Sequence, residues 1–339
     1  MNWKAFYRRE IEQQETRRKL EDWLRAPGRA SDRLAALGRG ILSFPHTALA
    51  YAGPLQAQVV RAIYESGVER ILALGVVHGS FVAPICRARD EHVESGLRHR
   101  AFLEVRGGLG VAESSLSTPL GEVPAWGAAE CAELFRIDRN RLLKDEFSLD
   151  TFAAVCRAAA DLHGCRPIPV FPLYVGLTRD PISGRFEAAA EMAAWLREVV
   201  PPSTAVVTTG DLVHYGTAYG LPREEAGVAA AAPVEELEAR FREDVECTLH
   251  TALTDRDMAE AYERSARLLQ SDQREILPLI AERLGHGAGF DLFSFALSDY
   301  SEILSSPQPC LVASALVGYW DGAGETNGIE APPQGAYPA

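Results

Sequence analysis

No Cys-x-x-Cys pair, no Gly-x-x-x-x-Gly-Lys-Ser/Thr or Gly-x-Gly-x-x-Gly loop and no internal repeat occurs in the 339 residues. The first absence removes zinc ribbons, the next two remove the common phosphate cradles, and the last removes solenoids. Positive charge is also short: a net charge of −13 argues against a nucleic-acid footprint and against binding to an anionic membrane. No run reaches the ~18 uncharged apolar residues that a membrane helix needs. The start, MNWKAFYRREIEQQETRRKLEDWLR, carries charge throughout and has no signal-type apolar core, so the expected location is cytoplasmic. Six scattered cysteines (Cys86, Cys131, Cys156, Cys165, Cys247 and Cys310) are expected to be reduced and mostly buried.

What is present is an apolar fraction of 47%, ample for a core. Trp3, Phe6, Tyr7, Ile11, Leu20, Trp23 and Leu24 recur among charges as a rough helical stripe that ends at Pro27-Gly28. This stripe predicts a helical extension over residues 1–40, lying on the main body or on a second subunit; a homodimer is one arrangement it allows. From residue 41 strand-like and helix-like segments alternate. Strands are expected near 41–45, 70–76, 101–106, 167–175 and 204–209, with helices near 53–66, 148–163 and 184–199. Such alternation predicts an α/β fold, a central mixed or parallel sheet with helices on both faces, in a single catalytic domain over 41–322. Residues 107–124 read as a hairpin or irregular excursion. A helical segment over 233–286 precedes two closing runs, GFDLFSFALSDY and CLVASALVGYW, with the composition of strands that rejoin the sheet. The polar, Gly/Pro-rich tail 323–339 reads as disordered.

His46 and His78 each follow a short apolar, buried-strand pattern, with the helix-like GPLQAQVVRAIYESG between them. In open α/β sheets chemistry collects outside the carboxyl ends of the strands, so two such ends can aim two imidazoles at one point. Neutral imidazole is also the commonest protein ligand for Zn, Fe, Ni and Cu. In TAVVTTGDLVHYG a further strand runs into Asp211 and His214. A near-neutral pKa suits His214 to acid/base work or to hydrogen bonding a substrate, while Asp211 either joins it or caps a turn. Within SDQRE, Asp272 admits two readings: a carboxylate that completes a 2-His-1-carboxylate set, or part of an N-cap and capping box with Glu275.

The segments FPHTALAYAGP, ILALGVVHGS, IPVFPLYVGL and VVTTGDLVHYG occur in an order that resembles the Memo-like proteins, relatives of the class III extradiol dioxygenases, over roughly residues 41–320. The resemblance implies an extradiol-dioxygenase-like fold in which His46 and His78 ligate a metal. Memo-like proteins place a cysteine as third ligand; the matching position here is Asp272, and the extradiol enzymes use a carboxylate. A carboxylate suits Fe(II) or Mn(II), whereas a thiolate would suit copper. The family's Glu-His-Ser corresponds to Glu146-Phe147-Ser148, so one polar residue of the pocket is apolar here. The resemblance also assigns His214 as the acid/base residue.

The expectation is therefore a non-haem Fe(II)-dependent oxygenase acting with O2 on a small aromatic or other metal-chelating metabolite. Its metal ligands are His46, His78 and Asp272, with Glu275 as the reserve carboxylate, His214 as the proton-transfer residue and Asp211 orienting it or a ligand. Three alternatives stay open: a Memo-like redox or interaction protein without turnover, a Zn(II) hydrolase using the same ligands, and histidines that are only structural.

Overall fold

The computed structural model describes residues 2–26, 40–78, 96, 99, 105–127, 136–138, 143–220, 233–307 and 309–322. It is a mixed α/β structure. Two helices open the chain, α1 (Trp3–Glu12) and α2 (Gln14–Arg25), followed by β1 (Ile41–Phe44), α3 (Leu49–Glu65) and β2 (Arg70–Val76). Next come β3 (Gly108–Val111), the hairpin β4 (Ser115–Thr118) and β5 (Gly121–Pro124), β6 (Arg136–Asp138), α4 (Asp150–His163), β7 (Val170–Val175), α5 (Glu187–Val199), β8 (Thr204–Thr209) and β9 (His214–Gly216). The remainder is α6 (Val234–Leu253), α7 (Met258–Glu263), a π-turn (Arg264–Leu268), a 3-10 turn (Asp272–Arg274), α8 (Ile276–Leu284), β10 (Gly289–Asp299), α9 (Ser301–Leu304) and β11 (Cys310–Trp320).

The main sheet runs β10-β11-β1-β8-β2-β7-β3-β6, with β9 paired to β11. Its centre is parallel: β1 with β8, β8 with β2, and β2 with β7. Antiparallel β11 and β10 extend one side. The central strands are apolar without alternation because both faces are covered. Ile71 and Ala73 of β2 point into a core with α2, α3 and α4, while Leu72, Leu74 and Val76 point into the opposite core with α5, α6 and α8.

The expected strands at 70–76 and 204–209 match β2 and β8 residue for residue. The strand expected at 101–106 does not appear where the chain is described. Residues 101–104 lie outside the described residues, Val105 is helical, and Arg106 makes only an isolated bridge to Leu177. The strand beside β7 is instead β3, inside the segment read as an excursion. Pro27-Gly28 and the tail 323–339 also lie outside the described residues. Among the described cysteines, Cys156 and Cys310 are buried but Cys165 and Cys247 are exposed, and all four are free thiols. No helix among the described residues is long and apolar enough to cross a membrane.

The N-terminal helices pack on the body of the same chain. Ile11, Leu20 and Leu24 are buried with α3 residues Ala57, Val60 and Ile63. Gly53 in α3 has no side chain because the Trp23 ring occupies that space: a Cβ there would lie 2.2 Å from the ring. Glu10 of α1 does more than pack. Its carboxylate accepts from the backbone N–H groups of Leu49 (2.9 Å) and Ala50 (3.0 Å), at the start of a helix whose own N-cap residue, Ala48, has no side-chain acceptor. A negative charge there also meets the positive end of the helix dipole. We expect Leu20→Ala to lower stability by about 2–5 kcal/mol in urea unfolding, as one loss shared with the rest of the structure. A change near zero would show that α2 is not integral to the core.

Candidate metal centre

Three of the site residues arise from one geometric rule. β1 ends at Phe44, β2 at Val76 and β8 at Thr209; His46, His78 and Asp211 each sit two residues beyond. Because these strands are adjacent and parallel, their ends open on one rim. The other two arrive from elsewhere: His214 starts β9, and Asp272 starts the 3-10 turn.

All three imidazoles turn Nε2 toward one oxygen. Asp272 Oδ2 lies 3.3 Å from His46 Nε2, 3.5 Å from His78 Nε2 and 3.7 Å from His214 Nε2. Asp211 Oδ2 lies 3.8 Å from the Nε2 atoms of both His46 and His214. These separations exceed the ~2.7–2.9 Å of a charge-assisted N–H···O hydrogen bond. They run from the edge length of a coordination polyhedron to a few tenths of an ångström above it: with bonds of about 2.1 Å, neighbouring ligands are roughly 3.0–3.4 Å apart. His46 is 3% exposed and Asp211 2%, yet His46 Nδ1 and Asp211 Oδ1 have no hydrogen-bond partner among the described residues. His46 turns Nε2, not Nδ1, toward the site, so of these two atoms it is the unpaired Asp211 Oδ1 that calls for a ligand. The donor set and its spacing therefore fit a divalent metal held by His46, His78 and Asp272.

It is Ser271 that caps the turn, its hydroxyl accepting from Gln273 N (3.1 Å), which leaves the Asp272 carboxylate free to face the histidines. Glu275, the reserve carboxylate, is engaged elsewhere. It accepts from Thr178 N (2.8 Å), Thr178 Oγ1 (3.0 Å) and Tyr262 Oη (2.5 Å), clamping the end of β7 to α7. Gln273 secures the turn by donating from Nε2 to Ser43 Oγ and to Gly210 O (3.2 Å). Gly210 has a φ of +149°, and a Cβ there would come within 2.8 Å of Gln273 Cγ and 3.3 Å of Asp272 Cβ. Only glycine lets the turn sit this low on the strand ends.

Sequence reasoning missed the groups that orient the rings. Glu146, 3% exposed, accepts from His78 N (2.6 Å), His78 Nδ1 (3.0 Å), Phe147 N (2.8 Å) and Ser148 N (2.9 Å). His214 Nδ1 meets the carbonyl of Gln270 at 2.9 Å, and the backbone N–H of His214 donates to Leu269 O at 2.9 Å. A carbonyl can only accept, so Nδ1 carries the proton and Nε2 offers its lone pair to the site. Gln270 adopts a φ of +49°, just after the π-turn. Phe147 stacks on His78 at 4.4 Å and meets the edge of His46 at 5.7 Å; Tyr219 lies 4.7 Å from His214. Behind Phe147 stand Trp3 and Tyr7 of α1. The one available signal for Glu146 was its place beside Phe147 in the Glu-His-Ser correspondence.

Charge is distributed unevenly among the three rings. Burial, reinforced by the neighbouring His78, keeps His46 neutral, with its pKa lowered to about 3. Burial would also lower His78, but the carboxylates of Glu146 and Asp272 outweigh it and hold the pKa well above the usual value. Burial opposes ionisation of Glu146 too, yet His78 and the donated hydrogen bonds bring its pKa down to about 2. Asp272 is likewise held below the carboxylate range against burial, by His214, His78 and His46. Asp211 is pushed well above it by burial and by the Asp272 charge.

A comparison with protein-family models and with curated proteins finds no match to this chain.

Two outcomes follow. Glu146→Gln keeps the shape but removes the charge that holds His78, and should weaken metal affinity about 10–100-fold in a chelator competition. Unchanged affinity would leave Glu146 a purely local brace. Metal must also displace the His78 proton. Below the raised pKa of His78, affinity should climb about tenfold per pH unit, with proton release seen by calorimetry in buffers of different ionisation enthalpy. The sign for metal-free stability is opposite: the His78 contribution is complete below its unfolded pKa of 6.5 and is lost as pH rises through the raised folded value.

Proposed function

We propose that this protein is a non-haem Fe(II)-dependent oxygenase acting on a small aromatic or other metal-chelating metabolite, with a fold of the class III extradiol dioxygenase type. The observation that carries the proposal is the convergence of His46 Nε2 (3.3 Å) and His78 Nε2 (3.5 Å) on Asp272 Oδ2, with His214 Nε2 at 3.7 Å from the same oxygen. Two imidazoles and one carboxylate on one side of a metal leave positions open for substrate and oxygen. Fe(II) held there would supply the redox chemistry that couples O2 to a chelated substrate. The resemblance of four segments to Memo-like and extradiol proteins supports the same reading.

The roles of the residues differ because their partners differ. His78 is held by a carboxylate, which strengthens an imidazole as a ligand. His214 is held by a neutral carbonyl, which fixes the ring without adding charge. Its Nε2 can take a proton from a bound hydroxyl and return it to a departing oxygen. Asp211, buried beside His46 and His214, biases both rings toward the site. Phe147 and Tyr219 shield the imidazole faces from water and offer apolar surface to a flat ring.

Metal analysis of anaerobically purified protein tests the centre, and oxygen uptake with chelating phenols tests the reaction. We expect stoichiometric iron, lost on His46→Ala or His78→Ala. His214→Gln should keep the iron while turnover falls about 10²–10⁴-fold. Stoichiometric zinc in place of iron would assign hydrolysis to the same ligands. Bound iron without oxygen uptake would instead leave a metal-binding redox or interaction protein.

A further inference from the structure

Among the described residues the potential ligands fall into two triads rather than one. His46, His78 and Asp272 form the first; Asp211, His214 and Asp272 form the second, each with its ligand atoms within 4.8 Å of one another. We infer that Asp211, His214 and Asp272 form a second, weaker divalent-cation site, whose filling removes His214 from proton transfer. The inference rests on the first site, since Asp272 would bridge the two ions.

Asp211 is the independent observation. It is 2% exposed; its carboxylate accepts from the backbone N–H of His46, but its Oδ1 has no hydrogen-bond partner among the described residues, and its Oδ2 stands 3.8 Å from the Nε2 atoms of both His214 and His46, beyond hydrogen-bond reach. A buried carboxylate aimed at an imidazole but not bonded to it leaves room for an ion between them. Asp272 Oδ2 has His46 Nε2 at 3.3 Å and His214 Nε2 at 3.7 Å, one from each triad. Paired-metal sites place their ions about 3.5–4 Å apart, a separation that a shared carboxylate spans. One nitrogen and two carboxylate oxygens form a harder donor set than the first triad, suited to Mn(II). The second ion must bind against the charge of the first, so it binds on the order of tenfold more weakly or worse. Once His214 Nε2 coordinates, its lone pair is no longer available to a proton.

Titration of the full chain with Mn(II) alone, followed by electron paramagnetic resonance and equilibrium dialysis, tests this. Wild type should bind two equivalents. The second should broaden the six-line signal of the first, because the two spins couple. Asp211→Asn, which preserves shape, should bind one equivalent with an isolated six-line signal, and His214→Gln should do the same. Retention of the first equivalent reports that these variants are folded. Saturation of wild type at one equivalent overturns the second site alone, as does a second equivalent that persists in Asp211→Asn. Loss of both equivalents from a folded Asp211→Asn protein would assign Asp211 to the first ion and also overturn the inference. Failure of wild type to bind any Mn(II) overturns both sites.

Discussion

Three neighbouring parallel strands, β1, β8 and β2, end on one rim, and the site depends on that alignment. Parallel pairing directs every carboxyl end the same way, so a residue two places beyond each strand meets its counterparts without any loop having to search for them. The charges gathered there are costly to bury unless they compensate one another. Here the compensation is ordered: His78 stands between Glu146 and Asp272, Asp272 is ringed by three imidazoles, and Asp211 is driven toward its protonated form. A divalent ion bound in this arrangement would replace protons, which would couple its affinity to the acid–base state of the cluster.

The surrounding packing serves the same rim. Tyr7, Ala48, Phe147, Tyr300 and Val312 form a small apolar cluster beside it, built from segments far apart in the chain. The hydroxyl of Tyr300 accepts from Ala48 N at 3.2 Å, in the segment that follows His46. On the opposite side Ser271, Gln273 and Gly210 seat the turn that carries Asp272. The helical extension is therefore part of the wall behind His78 rather than an appendage.

How much of this was legible depended on whether the determinant is local. Strands buried on both faces announce themselves as short apolar runs, so β1, β2 and β8, and with them His46, His78 and Asp211, could be placed. Asp272 was ambiguous because Ser-Asp at the start of a helical turn satisfies a cap and a ligand equally well; only the hydrogen bond from Gln273 N to Ser271 separates them. Glu275 was a reasonable reserve by spacing, but its partners Thr178 and Tyr262 come from other elements. Glu146 and the carbonyl of Gln270 were hidden for different reasons. The first acts across a long sequence separation, and the second is a backbone atom with no side-chain signature.

The capping of α3 by Glu10 has a consequence for biosynthesis. The helix that follows His46 is completed by a residue made before it, yet the ring of His46 faces Asp272, which emerges from the ribosome long afterwards. Between those moments a nascent chain can form α1, α2 and α3 as a local unit while carrying only part of the ligand set. Contacts of such wide sequence separation form late and slowly. The proposed ligand set is then complete only after the 271–275 turn has been made.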